Sequence, residues 1–321
     1  MSAEAVEGCS EMMKVLVILV IILLLFGVVM YWLYASVFCH PLKKRLDAHR
    51  IPESSAYKAH RDKMLEAVED MEKTPFEEVS ILSFDGCKLY GKLYSWKEAA
   101  PLVLFFHGYH GVYAWDGYGF FNLCKRNGIN ILMVEERAHG KSEEKVITFG
   151  IKERFDCKLW AEYAAKRFGR DTDLFLAGVS MGAATVMMVT ELGLPENVRG
   201  VVEDCGYTEP AAIIKETIRK MKLPARLIYP FVKLGAKVFG HFDLEEASAL
   251  EAVQKLQIPI LLIHGTRDDV VPEYMCETLY EHCAGKKEKL LVEGAYHANS
   301  ALTDYEGYEK AVLGFMKGCL K

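Results

Sequence analysis

The chain has 321 residues, of which 51% are hydrophobic and 26% charged. That balance excludes a disordered chain and allows one large domain or two small ones. The net charge is −5 with no basic stripe, so nucleic acid is not an expected partner. The nine cysteines, at 9, 39, 87, 124, 157, 205, 276, 283 and 319, are scattered, odd in number and without a CxxC pair. They argue against a disulfide framework or a zinc site and fit a reducing compartment or an anaerobic exterior; no metal or cofactor is expected.

Residues 1–14 form a short polar tail. No charged residue then occurs from 15 to 35, and the run VLVILVIILLLFGVVMYWLYA is long enough to cross a bilayer. Tyr31, Trp32 and Tyr34 sit at its C-terminal end, where an interfacial aromatic belt belongs. A cleaved signal sequence would have a shorter apolar region and a small-x-small site, and neither is present. We therefore expect residues 15–37 to be a single transmembrane anchor in contact with lipid. Lys14 precedes it, while Lys43, Lys44, Arg45 and Arg50 follow it. Counting Lys and Arg alone leaves the large domain in the cytoplasm.

Residues 38–75 are charged and read as a helical juxtamembrane arm. From 76 the pattern changes. EEVSILS and CKLYGKLYS, joined at Asp85-Gly86, predict two short strands and a turn. PLVLFF (101–106) predicts a strand buried on both faces. Further strands are predicted at 130–135, 173–179, 198–204, 258–265 and 288–294. Helices are predicted at 119–126, 152–168, 182–192, 273–282 and 304–317. Eight strands alternating with helices indicate an α/β fold with a mostly parallel sheet covered on both faces. Residues 208–246 hold no strand but many apolar side chains, which predicts a helical lid inserted into the 76–321 domain, the alternative being two ordinary helices packed on the sheet.

In such sheets the working residues lie at the C-terminal ends of the strands. LFLAGVSMGAATVMM places Ser180 between Gly178 and Gly182 where a strand gives way to a helix. Gly-x-Ser-x-Gly at that junction is a nucleophile elbow. Such a serine needs a base to take its proton and a carboxylate to orient the base. HGTRDDVVP (264–272) follows a strand and offers Asp268 and Asp269, either of which could instead cap the next helix. EGAYHANS (293–300) places His297 in the loop after the last strand, where packing does not explain it. His264 and His282 read as structural. A negative oxygen on the substrate needs backbone N–H donors. Met181, after the nucleophile, supplies one. The loop FFHGYHG (105–111) supplies the other, with Tyr109 as donor, His107 and Gly108 shaping the turn, and His110 unassigned.

HGYHG, EERAHGKS (135–142), GVSMG, VEDCGYT (202–208), HGTRDDVVP and AYHANS occur in the order found in the serine α/β-hydrolases, which the chain from 76 onward resembles. It is most similar to bacterial membrane-anchored or cell-surface members. The resemblance implies the α/β-hydrolase fold and selects Asp268 over Asp269, with Asp269 left to a capping role. The triad it implies is Ser180, Asp268 and His297, with Tyr109 and Met181 as oxyanion donors. Relatives often read D-x-R-G-H-G where this chain has Glu136 and Ala138, a change expected to affect loop packing. The resemblance favours the cell surface for the domain, against the charge count. The leading expectation is a carboxylic ester hydrolase acting on a small-molecule ester through an acyl-enzyme, with an apolar acyl pocket behind the lid. The alternatives are a peptidase or amidase on small peptides, and a membrane-tethered binding protein without catalysis.

Overall fold

The structure is a computed structural model that describes residues 3–40, 47–51 and 55–320. The expected basic flank at Lys43, Lys44 and Arg45 lies outside the described residues. One eight-stranded sheet organises the domain. Its strands are β1 (Glu77–Leu82), β2 (Lys88–Tyr94), β3 (Leu102–Phe106), β4 (Asn130–Glu135), β5 (Leu174–Val179), β6 (Val198–Asp204), β7 (Ile260–Gly265) and β8 (Lys287–Val292). Their spatial order is β1-β2-β4-β3-β5-β6-β7-β8. β1 and β2 run antiparallel to their neighbours, and all the others pair in parallel. This is the expected fold, and every predicted strand is present.

The buried strands explain their own composition. β3, β4, β5 and β7 are buried along their whole length, so both faces must be apolar. Alternate residues feed two cores. Leu102, Leu104 and Phe106 pack on one face with Trp160, Met181 and Val186. Val103 and Phe105 pack on the other with Phe120, Tyr308 and Phe315.

The N-terminal region departs from the simple picture of tail, anchor and arm. A single helix runs from Ala3 to Phe38, so no break separates the tail from the apolar run. Its first part is open to the surroundings, with Leu23 67% exposed. Its last turns belong to the domain. Met30, Tyr34 and Phe38 are buried, and Phe38 is 0% exposed. Tyr34 and Phe38 join the core on the Trp160 face. The backbone after the helix is tied down as well: Ile147 N donates to Phe38 O at 2.8 Å, and His40 N to Lys145 O at 2.7 Å. The arm contributes the helix Arg61–Lys73, whose Met64, Val68 and Met71 pack into the other core.

Residues 208–246 form two helices, Pro210–Lys220 and Ala225–Phe239. Ile213, Ile214, Tyr229, Val232 and Phe242 are buried, whereas Met221, Leu223, Leu227 and Phe231 are exposed. The second helix lies along the apolar N-terminal helix. Phe26 meets Phe231 edge-on with ring centroids 5.9 Å apart, and Tyr31 meets Phe239 at 5.4 Å.

Candidate active site

β5 lies at the centre of the sheet and ends in Val179, and the chain then turns directly into the helix Met181–Met188. Ser180 takes φ 56° and ψ −110° at the turn. A left-handed backbone at a serine costs on the order of 1–3 kcal/mol. The flanking glycines make the turn possible. A Cβ on Gly178 would lie 2.3 Å from Gly182 C, and one on Gly182 would lie 2.1 Å from Phe106 O. Strand, helix and the neighbouring end of β3 are thus packed backbone to backbone, and Ser180 is pushed out above the sheet. Its N–H donates to Asp204 O at 2.8 Å, which ties the turn to β6.

The loops after β7 and β8 bring the other two groups to it. His297 Nε2 lies 2.8 Å from Ser180 Oγ, and His297 Nδ1 lies 2.7 Å from Asp268 Oδ2. With Asp268 ionised, Nδ1 carries the proton and donates to the carboxylate, leaving Nε2 to accept from the serine hydroxyl. The Asp268 side chain is 0% exposed. Its other oxygen, Oδ1, accepts from Val270 N at 2.8 Å and Val271 N at 2.7 Å. Burial pushes the Asp268 carboxyl up, but the His297 charge and hydrogen bond outweigh it and hold the carboxyl below its usual range. Burial likewise opposes charge on His297, but the Asp268 carboxylate and its hydrogen bond outweigh that and raise the imidazole above its ordinary value. The pair is therefore arranged to favour an imidazolium beside a carboxylate.

The expected cap at Asp269 is a correction. Asp268 itself accepts the N–H groups of the turn, because its Oδ1 is free once Oδ2 holds His297. Asp269 acts instead through its carbonyl, which accepts from Lys220 Nζ at 2.5 Å, and Val270 O accepts from the same ammonium at 2.7 Å. His264 is buried and its Nε2 bonds Val271 O at 3.0 Å, a structural role as expected. His282 is exposed, with Nδ1 2.9 Å from Thr278 O on its own helix.

The loop after β3 faces Ser180. Among the described residues no acceptor satisfies the backbone N–H of Tyr109 or Met181. His107 shapes the loop from below. Its Nδ1 donates to Gly108 O at 2.9 Å and its Nε2 accepts from Glu136 N at 3.1 Å, the pattern of a neutral ring. Burial lowers its pKa to about 4, in keeping with that state. Gly111 N closes the turn on Gly108 O at 2.9 Å.

Two pocket residues had no signal in the sequence. Asp116 Oδ2 accepts from Gly108 N at 2.7 Å, so a carboxylate holds the loop in place. Burial raises the Asp116 carboxyl to about 6, against the Gly108 hydrogen bond and the nearby His297, which lower it. Tyr57 arrives from the arm. The cavity over Ser180 has a volume of about 280 Å³, and its walls include Tyr57, Tyr109, His110, Trp115, Asp116 and His297. None of its lining residues comes from 208–246, so the expected pocket behind a lid is replaced by one walled by the β3 loop and the arm. A larger hollow of about 1010 Å³ lies among Glu162, Lys166, Arg170 and Glu196, beside the N-terminal ends of β5 and β6 and away from any nucleophile.

Cys205 Sγ lies within 4.8 Å of ligand atoms of Asp268 and His297, a grouping that could hold a metal ion. Burial keeps that thiol protonated, and the two partners are already bonded to each other, so the set is better suited to proton transfer than to ligation.

The chain is similar to several known proteins. The serine hydrolase (FSH1) family matches residues 176–298, which contain Ser180, Asp268 and His297. The Bacillus subtilis protein YqkD is 25% identical over 254 residues, covering 79% of this chain and 82% of its own. The protein bem46 of Schizosaccharomyces pombe is 23% identical over 228 residues, 68% of each chain. Among solved structures, the Pyrococcus furiosus esterase Pf2001 matches with a TM-score of 0.63 and 24% identity, over 79% of this chain and 94% of that one. Est1E from Butyrivibrio proteoclasticus, solved with ferulic acid, matches with a TM-score of 0.58 and 20% identity, over 74% and 99%. These structures share the fold, and over residues 176–298 the chain is similar to the serine hydrolase (FSH1) family.

Proposed function

We propose that the protein is a carboxylic ester hydrolase with Ser180 as nucleophile, His297 as general base and Asp268 as the orienting carboxylate. The observation that carries this reading is the unbroken chain from Asp268 through His297 to Ser180, with both links under 3 Å, beside Tyr109 and Met181, whose N–H groups have no acceptor among the described residues. Ser180 Oγ attacks the acyl carbonyl as His297 Nε2 takes its proton. The N–H groups of Tyr109 and Met181 receive the negative oxygen; such a donor is worth about 3 kcal/mol. His297 then protonates the leaving alcohol. Water, activated by the same ring, releases the acid and frees Ser180. The esterase name carried by the Pyrococcus furiosus structural relative points the same way.

Residues 208–246 are proposed as a cap that steadies the acid loop through Lys220. The apolar helix is proposed as an uncleaved single-span anchor. In support, Tyr34 and Phe38 are core residues, and removing the helix as a signal sequence would empty their sites. A test of the enzyme therefore uses the full chain in detergent micelles.

The experiment is hydrolysis of p-nitrophenyl esters from acetate to palmitate, beside a Ser180→Ala control. Turnover that disappears in the control is expected, with short acyl groups favoured by a cavity of this size. Absence of ester turnover, with cleavage of small peptides by the same protein, would overturn the ester assignment in favour of an amidase.

A further inference from the structure

We propose that the C-terminal end of the apolar helix positions the oxyanion loop, and that the Tyr109 side chain is the link. The inference rests on the reading of Tyr109 N–H as an oxyanion donor. Tyr109 Oη donates to Val37 O at 2.8 Å. Val37 lies in the last turn of the Ala3–Phe38 helix, where carbonyls have no partner within the helix. The phenol supplies that partner from a loop 72 residues away.

The ring is held as firmly as the hydroxyl. Tyr109 stacks on Phe149 with centroids 4.8 Å apart. Phe149 meets Phe38 edge-on at 5.8 Å. Phe38 in turn contacts Tyr34 at 5.6 Å and Phe242 at 5.2 Å. A continuous aromatic stack thus runs from the helix to the oxyanion loop.

The two N–H donors differ in what fixes them. Met181 begins a helix packed backbone to backbone on β5 and β3, so its N–H is rigid. Tyr109 sits between Gly108 and His110-Gly111 in a turn without regular structure of its own. Asp116 fixes the backbone on one side of it, at Gly108. Gly111 N and His107 Nδ1 also bond Gly108 O within the turn, and the restraint that reaches outside the loop at Tyr109 is its own side chain, anchored on Val37. A donor contributes fully only when it is held in place before the charge develops, and a shift of about 1 Å can cost about 100-fold in rate. The segment that the sequence marks as a membrane tether is therefore also part of the scaffold of the site.

Tyr109→Phe tests this in the full-length protein in micelles. It keeps the ring contacts and the backbone N–H and removes only the bond to Val37. The expected result is a fall in kcat of about 5- to 20-fold on p-nitrophenyl butyrate, KM within about twofold, and an unchanged melting temperature. The rate of fluorophosphonate labelling at Ser180 should fall in parallel. Phe38→Leu, which keeps an apolar side chain but removes the edge contact with Phe149, should lower kcat in the same sense by a smaller factor. It serves as the second reading if Tyr109→Phe folds poorly. Wild-type kcat in either folded variant would overturn the inference, as would a loss of kcat that merely tracks a loss of melting temperature. Wild-type protein without Ser180-dependent turnover would instead overturn the functional reading beneath it.

Discussion

The pocket has two walls of different construction. Ser180, Asp268 and His297 hang from the ends of three parallel strands, β5, β7 and β8, and each is fixed by short local contacts. The opposing wall is a loop after β3 that has no such frame. It is steadied from outside by Asp116, by the carbonyl of Val37, and by the arm, where Trp115 Nε1 donates to Ala48 O at 2.5 Å. In the proposed mechanism the first wall holds the groups that move protons, and the second holds a group that only has to stay still. Chemistry on a strand end needs little support, whereas a donor on a glycine-flanked loop needs support from elsewhere in the chain.

The difference can be broken from the strand-end side first. Ser180→Ala should lower kcat for esters by a factor on the order of 10⁶ in an assay of the folded protein. Asp268→Asn should cost about 10³–10⁴-fold, because an amide cannot hold His297 in the tautomer that leaves Nε2 free. The same change removes the charge that raises the imidazole, so the acid limb of residual turnover should move to lower pH. In the wild type, kcat/KM should fall as pH drops through a midpoint above 6.5, since His297 must be neutral to accept a proton and its pKa is raised. A pH–rate profile with its acid midpoint below 6.5 would contradict that assignment.

The supporting wall should respond more gently. Asp116→Ala leaves Gly108 N–H without its acceptor and should lower kcat by roughly 10-fold. Asp116→Asn keeps an oxygen there and should hold kcat at pH 8 within about threefold. It should also raise the melting temperature at that pH. The folded carboxyl is raised to about 6 from 3.8, so its ionised form is disfavoured in the fold, and that penalty is complete above pH 6. The gain should vanish below about pH 4, where both folded and unfolded carboxyls are protonated. The apolar helix contains the same contrast in one element. Phe38→Ala should cost about 3–5 kcal/mol in chemical denaturation, while Leu23→Ala should stay within about 0.5 kcal/mol.

The same division explains what could be read from the sequence. Strand ends are legible because apolar runs mark the strands and the next polar residues must be the working ones. Ser180 between its glycines and His297 after the last strand follow directly. Asp268 and Asp269 are adjacent on one loop, and only family resemblance separated them. The other wall was hidden for a physical reason. Val37 and Ala48 act through carbonyl oxygens, which every residue carries. Tyr57 reaches the cavity from an arm whose charged pattern describes only its outer face. Asp116 looks like one more polar residue on a short helix until Gly108 is seen against it. The apolar run reads as a candidate membrane span and does not show that its last turns, at Tyr34 and Phe38, are core.

The most direct test of the account is covalent. Full-length protein is treated with a fluorophosphonate, digested and mapped by mass spectrometry, beside His297→Ala. One adduct is expected, on Ser180, formed rapidly in the wild type and at least about 100-fold more slowly without His297. An adduct on another residue, or labelling of Ser180 that does not depend on His297, would contradict it.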